Sequence, residues 1–272
     1  MMEWAKPGDK EALVELFHLC FPGEEDFCRW YFGRLWQPGQ TLVCRRAEGI
    51  AAMLQLLPRR IGWQEQSWPA AYVFAVGTHP NWRGQGLAGA LLRQAEQEAA
   101  DQGAQTLFLV PQRPSLFQYY ARFGYRTAFS LAVEQVEAKA GPADLRLAGP
   151  DDLPAMQKIY QDEMGGRPYV ERPARDFQDQ LALYQGQVWL LERQGLPVAY
   201  GFAEEEEGRW RLAEAMGPGK RELAAALFAQ KGQDSGLLRT AGGTVPFAMA
   251  LPIGRTRYSW QGAQGYCNLL FN

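Results

Sequence analysis

The sequence predicts an α/β (α+β) chain built on a mixed, mostly antiparallel sheet flanked by helices, with the same plan repeated once in degenerate form. Three observations carry that expectation. An apolar, aromatic and β-branched run at 72–76 passes through a glycine turn into an amphipathic helix. Short strand-like runs lie on either side of it, and the order of strands and helices recurs beyond an Ala-Lys-Ala-Gly-Pro-Ala connection at 138–143. With 272 residues, 47% of them hydrophobic and 21% charged, the chain is long enough for two compact units.

Residues 10–21 open the first unit with Leu13, Leu16, Phe17 and Cys20 at helical spacing, stopped by Pro22-Gly23. A second helix at 24–35 is unusually aromatic, with Phe27, Trp30, Tyr31, Phe32 and Trp36, which reads first as a core-facing stripe. Residues 42–46 and 50–60 read as paired strands joined at Glu48-Gly49, and 63–68 bracket a polar turn before the central strand. Pro80 ends that strand. The helix after it carries Leu87, Ala90, Leu91 and Ala95 on one stripe until Gly103.

The start of this helix is the first functional signal. A helix N-terminus presents unpaired amides and about half a positive charge, so it suits an anion. Gly84 and Gly86 let a phosphate reach the main chain, and Arg83 adds a charge-assisted contact. A phosphorylated ligand is expected. There is no Gly-x-x-x-x-Gly-Lys-[Ser/Thr], and Gly84, Gly86 and Gly89 lack the strand-to-glycine turn and acidic partner of a dinucleotide site.

Further on, residues 106–110 read as a buried strand, 116–125 contain Tyr119-Tyr120-Ala-Arg-Phe-Gly-Tyr, and 127–137 alternate as a closing strand. The second unit begins at 145–147. It continues through a cap at Asp151, a helix bearing Leu153, Met156, Ile159 and Tyr160, strands at 188–192, 198–203 and 210–215, and a helix at 221–230. The acidic run 204–207 reads as a solvated hairpin tip, and the apolar end, 266–272, is expected to pack. Expected boundaries are 1–137 and 144–272.

Composition narrows the partners. A formal charge of -2 supplies no long-range attraction for nucleic acid or an anionic membrane, and neither is expected as a partner. Four cysteines without a Cys-x-x-Cys and two histidines, His18 and His79, predict no metal site. His79 reads as a loop residue rather than a base. The opening residues lack an apolar signal core and no apolar run reaches 18 residues, so a cytoplasmic protein is expected.

Arg83-x-x-Gly86-x-Ala88 after an apolar strand, followed at the right distance by Tyr120-Ala-Arg-Phe-Gly-Tyr125, resembles the acetyl-CoA loop and tyrosine helix of the GNAT acetyltransferases. The resemblance covers residues 1 to about 136. It implies an acetyl-CoA-dependent N-acetyltransferase, with acetyl-CoA as co-substrate and no metal, moving acetyl directly to a primary amine of a small molecule or peptide. Val76, Gly77 and Thr78 would hold the pantetheine arm, with the Val76 amide as oxyanion donor. Arg83, Gly84, Gln85, Gly86, Leu87 and Ala88 would hold the pyrophosphate. Tyr120 would donate to the departing thiolate, with Tyr119 as fallback. Some rings of residues 27–36 would then line the acceptor side.

The base stays open among Glu24, Glu25, Asp26, a water chain and the Asn272 carboxylate, the last by similarity to the tandem acetyltransferases of the Eis group, whose third domain this chain has no room for. At 216–221 the second unit has Met-Gly-Pro-Gly-Lys-Arg instead of the loop motif, so one working and one degenerate site are expected. Competing readings are an idle acyl-CoA-binding or scaffolding protein and transfer to a hydroxyl or of a longer acyl group. Oligomeric state is open, a homo-oligomer included.

Overall fold

The computed structural model describes residues 1–253 and 265–269, and its chain divides into two compact units. Unit 1 comprises Met1–Ile61, Gln66–Thr127 and the described residues of Ala248–Gln261. In order it contains β1 (Met2–Trp4), α1 (Lys10–Cys20), α2 (Glu25–Arg34), β2 (Thr41–Arg46), β3 (Gly49–Trp63), β4 (Gln66–Thr78), α3 (Leu87–Asp101), β5 (Thr106–Leu109) and α4 (Pro114–Ala121). The strands follow one another across the sheet, antiparallel from β1 to β3. β5 is parallel to β4, because α3 crosses over between them. The far edge of β5 pairs antiparallel with Met249–Pro252, in the strand Val245–Pro252.

The α3 stripe buries Leu87, Leu91, Leu92, Ala95 and Ala99 against Leu54, Leu56, Val73 and Leu107 of the sheet. Fully burying each leucine contributes about 2 kcal/mol, so this stripe more than the alanine-rich composition holds the helix. The aromatic helix α2 divides as an amphipathic helix should. Tyr31 and Phe32 are buried, while Phe27, Trp30 and Trp36 are half-buried. Tyr31 and Phe27 both meet Phe74 of β4 edge-on.

Unit 2 takes residues 62–65, Ala128–Phe247 and the described residues from 265. Its elements are β6 (Arg126–Glu137), β7 (Asp144–Leu147), α5 (Leu153–Glu163), β8 (Tyr169–Val170), α6 (Ala174–Leu183), β9 (Val188–Arg193), β10 (Leu196–Glu206), β11 (Arg209–Met216), α7 (Lys220–Gln230) and β12 (Ser235–Ala241), and β13 (Val245–Pro252) starts in it and passes into unit 1 at Ala248. The strand order is β6-β12-β11-β10-β9-β7. β11 and β12 are parallel around α7, and β6 runs antiparallel to β12 along Leu131–Glu137.

The two halves repeat an opening device. In unit 1, a strand and a short turn lead into α1, where Asp9 accepts from the Lys6 amide and pairs with Arg45, which also holds Glu3. In unit 2, Asp152 accepts from the Gly149 amide before α5 and pairs with Arg146, which also holds Glu192.

Chain and unit part company near residue 248. The expected second domain, 144–272, includes residues 248–253, which are counted with unit 1, while β6, expected to close the first domain, has residues 128–137 in unit 2. Residues 265–269 are buried, as an apolar end requires. Asn272, named above as a source of a carboxylate, lies outside the described residues. Among the described residues no helix is long and apolar enough to cross a membrane, and no group of three His, Cys, Asp or Glu could hold a metal.

Candidate active site

The site begins where β4 and β5 part. Their parallel register is Ala70 with Thr106, Ala71 with Leu107 and Tyr72 with Phe108, after which β4 runs on to Thr78 without that neighbour. Ala75 sits in the left-handed region at φ 49°, a conformation that an alanine adopts only against a steric cost of about 1–2 kcal/mol. The strand nonetheless continues past it through Val76, Gly77 and Thr78. The lone edge offers main-chain groups to an extended ligand as an added strand would use them.

Gly77 is squeezed from one side: a Cβ there would lie 2.9 Å from Cys20 Sγ. Cys20 closes α1, and burial pushes its thiol up, partly offset by the nearby Arg83 guanidinium. Arg83 in turn donates from Nε to the Thr78 carbonyl at 3.2 Å. The strand end and the turn are therefore tied by one arginine. His79 serves the same corner, its amide donating to Ala51 O and its Nδ1 accepting from the Asn81 amide.

Gly84 at φ 78° and Gly86 at φ 74° wind the chain into α3, and a Cβ at either would meet nothing within 4 Å. Gly86 is the cap, with no side chain closing the amides of the first turn. These glycines supply backbone shape while leaving the approach to the amides open, which is what an oxyanion needs. Gly89, one turn in, serves packing instead, because a Cβ there would lie 2.7 Å from the Phe123 ring.

Tyr120, in the last turn of α4, packs in the cluster that contains Leu87 and Val73 and that Val76, Trp82 and Tyr119 cover. It is 8% exposed, and no described residue hydrogen-bonds its hydroxyl. Burial, with a smaller push from Tyr119, raises its pKa to about 12. Tyr119 is half-buried and raised less, again by burial. Strand end, glycine turn and Tyr120 thus converge through one apolar cluster.

The carboxylates named as bases lie at the surface. Glu24, Glu25 and Asp26 are exposed at the start of α2, where Glu25 accepts from the Gly23 amide and Asp26 pairs with Arg29 at 3.0 Å. Two features of the site had no sequence signal of their own. Ala75 looks like any strand residue, and Cys20 looked like one member of a helical stripe.

An open glycine turn at a helix start, a parted strand pair and a neighbouring tyrosine helix lie together in unit 1. Residues 3–128, a little under half of the chain, match the family model described as Acetyltransferase (GNAT) domain. No curated protein matches the sequence. Among solved structures, a conserved protein from Enterococcus faecalis V583 described as a probable N-acyltransferase is similar at TM-score 0.73 and 15% identity, over 93% of this chain and 72% of its own. A GCN5-related N-acetyltransferase from Anabaena variabilis is similar at TM-score 0.72 and 19% identity, over 93% and 73%. Eis1 from Mycobacterium abscessus is similar at 0.64 and 14%, over 93% and 73%. At such identities the likeness is one of fold.

Proposed function

We propose that the chain is an acetyl-CoA-dependent N-acetyltransferase that moves the acetyl group directly to a primary amine of a small molecule or peptide, with unit 1 as the catalytic domain and unit 2 as a degenerate copy. The observation that carries this reading is the open turn at Gly84 and Gly86 beside the parted edge of β4, with Tyr120 in the same cluster. The residues fit the co-substrate. Amides of 84–88 and Arg83 suit a pyrophosphate, and the free edge of Val76–Thr78 suits the amide-bearing pantetheine arm.

The chemistry then falls to few groups. Holding amine and thioester together supplies most of the acceleration, and the Val76 amide stabilises the oxygen that gains charge. Tyr120 donates a hydrogen bond to the departing thiolate. With its pKa at about 12 against about 8.5 for a thiol, complete proton transfer is uphill by roughly 5 kcal/mol, so Tyr120 acts as a donor that keeps its proton.

The deciding experiment is calorimetric titration with acetyl-CoA of the wild type and of Gly86→Glu, followed by a screen of amines for release of CoA thiol. Saturable binding lost in the variant, with amine-dependent turnover, supports the reading. Binding without turnover on any amine leaves an idle acyl-CoA binder, and absence of binding ends the proposal.

A further inference from the structure

We infer that unit 2 carries a separate binding site for a small oxyanion, the phosphate or carboxylate head of a small molecule, built around Arg167. A cleft of about 270 Å³ is lined by Ser130, Arg167 and five glycines. That is at the small end of ligand pockets, room for a head group or a compact metabolite. Among the described residues that line it the guanidinium is the only charged group, and none of them is a carboxylate.

Arg167 is half-buried, yet its Nη1 is fully enclosed and has no hydrogen-bond partner among the described residues. Nη1 is shut against Gly242, so an anion in the cleft would be met by the remainder of the guanidinium, which lines it. The acids nearest in sequence are paired elsewhere, Asp162 with Lys158 at 2.9 Å and Glu163 with Lys220 at 2.5 Å.

The glycines make room for the guanidinium. A Cβ at Gly242 would lie 2.6 Å from Nη1, and Gly242 itself is at φ 91°, so a side chain there would both strain the turn and displace the arginine. At Gly243 a Cβ would lie 2.1 Å from Leu131 O, which holds this turn flat against β6. From the other side, the Trp63 indole donates to the Gly166 carbonyl at 3.0 Å and anchors the Gly165-Gly166 turn that delivers Arg167. Two glycine turns and a fixed guanidinium facing an uncharged cleft form a cradle for an oxyanion, which a planar fork grips with two bonds.

The site is independent of the acetyl-CoA reading, and the test keeps them apart. Full-length ¹⁵N-labelled protein is titrated with inorganic phosphate and, separately, with acetate, and amide shifts are followed residue by residue. The expected result is saturable movement at Gly165, Gly166, Gly242 and Gly243, weakened at least tenfold in Arg167→Gln while shifts at 84–88 persist. Arg167→Lys, which keeps the charge and loses the fork, retains weaker binding. The phosphate-to-acetate preference then names the head group. No saturable shift at these four glycines in the wild type, or shifts that survive Arg167→Gln unchanged, would overturn the inference.

Discussion

Both units send a strand through a glycine turn into a helix, and the two turns reach opposite chemistry. At the start of α3 the glycines face open space and the amides lack a cap. At the start of α7, Glu163 takes the place an anion would hold, accepting from the Gly217 amide at 3.2 Å and from Lys220 Nζ at 2.5 Å. Gly217 and Gly219 are there for contact, because Cβ atoms would lie 2.3 Å from Val198 O and 2.6 Å from Leu191 Cδ2. A helix start is an anion site only where the fold leaves it open, and unit 2 has closed its own with a carboxylate from α5.

The contrast extends inward. Unit 2 buries an ion pair, Arg172 with Glu214, both side chains 0% exposed, and Tyr200 and Tyr266 donate to the same carboxylate. Arg172 also donates to the Asn268 carbonyl, and Asn268 Nδ2 donates to Ala213 O at 2.9 Å. Tyr266 and Asn268 are thereby fastened into the core of unit 2. If unit 2's polar groups serve the fold and those of unit 1 the ligand, substitutions should separate along that line.

The largest effect belongs to Glu214→Ala, which strands a buried guanidinium. Stability measured by urea unfolding should fall by about 3–5 kcal/mol, with acetyl-CoA affinity per folded molecule unchanged; a loss below about 1 kcal/mol would deny the pair its structural role. Next comes Gly86→Glu, expected to weaken acetyl-CoA binding more than 100-fold by calorimetry, or roughly 3 kcal/mol, by placing a carboxylate at the amides. A smaller effect is expected for Tyr120→Phe, a fall in kcat of about 10- to 100-fold with acetyl-CoA affinity nearly unchanged. Because burial holds Tyr120 protonated up to about pH 12, the wild-type rate should show no alkaline decline from this group through pH 10. Equal kcat in wild type and variant would remove Tyr120 from the chemistry.

Glu163→Gln should cost only about 1 kcal/mol in thermal or urea unfolding and create no second acetyl-CoA site, since packed glycines still close the turn. Two binding sites by calorimetry would show instead that the carboxylate alone keeps unit 2 silent. The finest comparison is between Asp9 and Asp152. Hydrogen bonds from Arg45 and Arg146, respectively, hold both carboxyls below their ordinary value of 3.8. The stability they add is complete above that value and lost as pH falls through the lower folded-state value. Asp9→Asn and Asp152→Asn should each flatten the acid limb of a melting curve taken between about pH 5 and pH 2; an effect in one alone would break the pairing.

Much of the first unit was legible because its signals are local. The stripe Leu87, Leu91, Ala95 and the stop at Gly103 delimit α3, observed as Leu87–Asp101. The glycine turn states its backbone requirement in the residues themselves. The second unit was legible in β9, β10, β11 and α7, but α6 before them and β12 and β13 after them were not. Residues 174–183 form α6 on a stripe of Phe177 and Leu181 interrupted by the buried polar residues Asp179 and Gln180, which hides its period. β12 and β13 fell outside the strand reading, since Gly, Arg and Thr in one and two prolines in the other weaken the pattern. The acceptor side stayed silent for a different reason: the half-buried rings of α2 read the same whether they pack or bind.

The partner of β5 is a matter of timing as well as geometry. Leu109 pairs with Met249, and Thr106 with Pro252, so the ladder that completes unit 1 joins residues from the middle of the chain to residues near its end. During synthesis the ribosome emits α3, β5 and α4 long before that partner exists, and for this interval the edge of Leu107 and Leu109 stands unpaired. A gene cut after residue 137 would make the interval permanent. Unit 1 consequently gains its last strand only after residues 128–247 of unit 2 have been made.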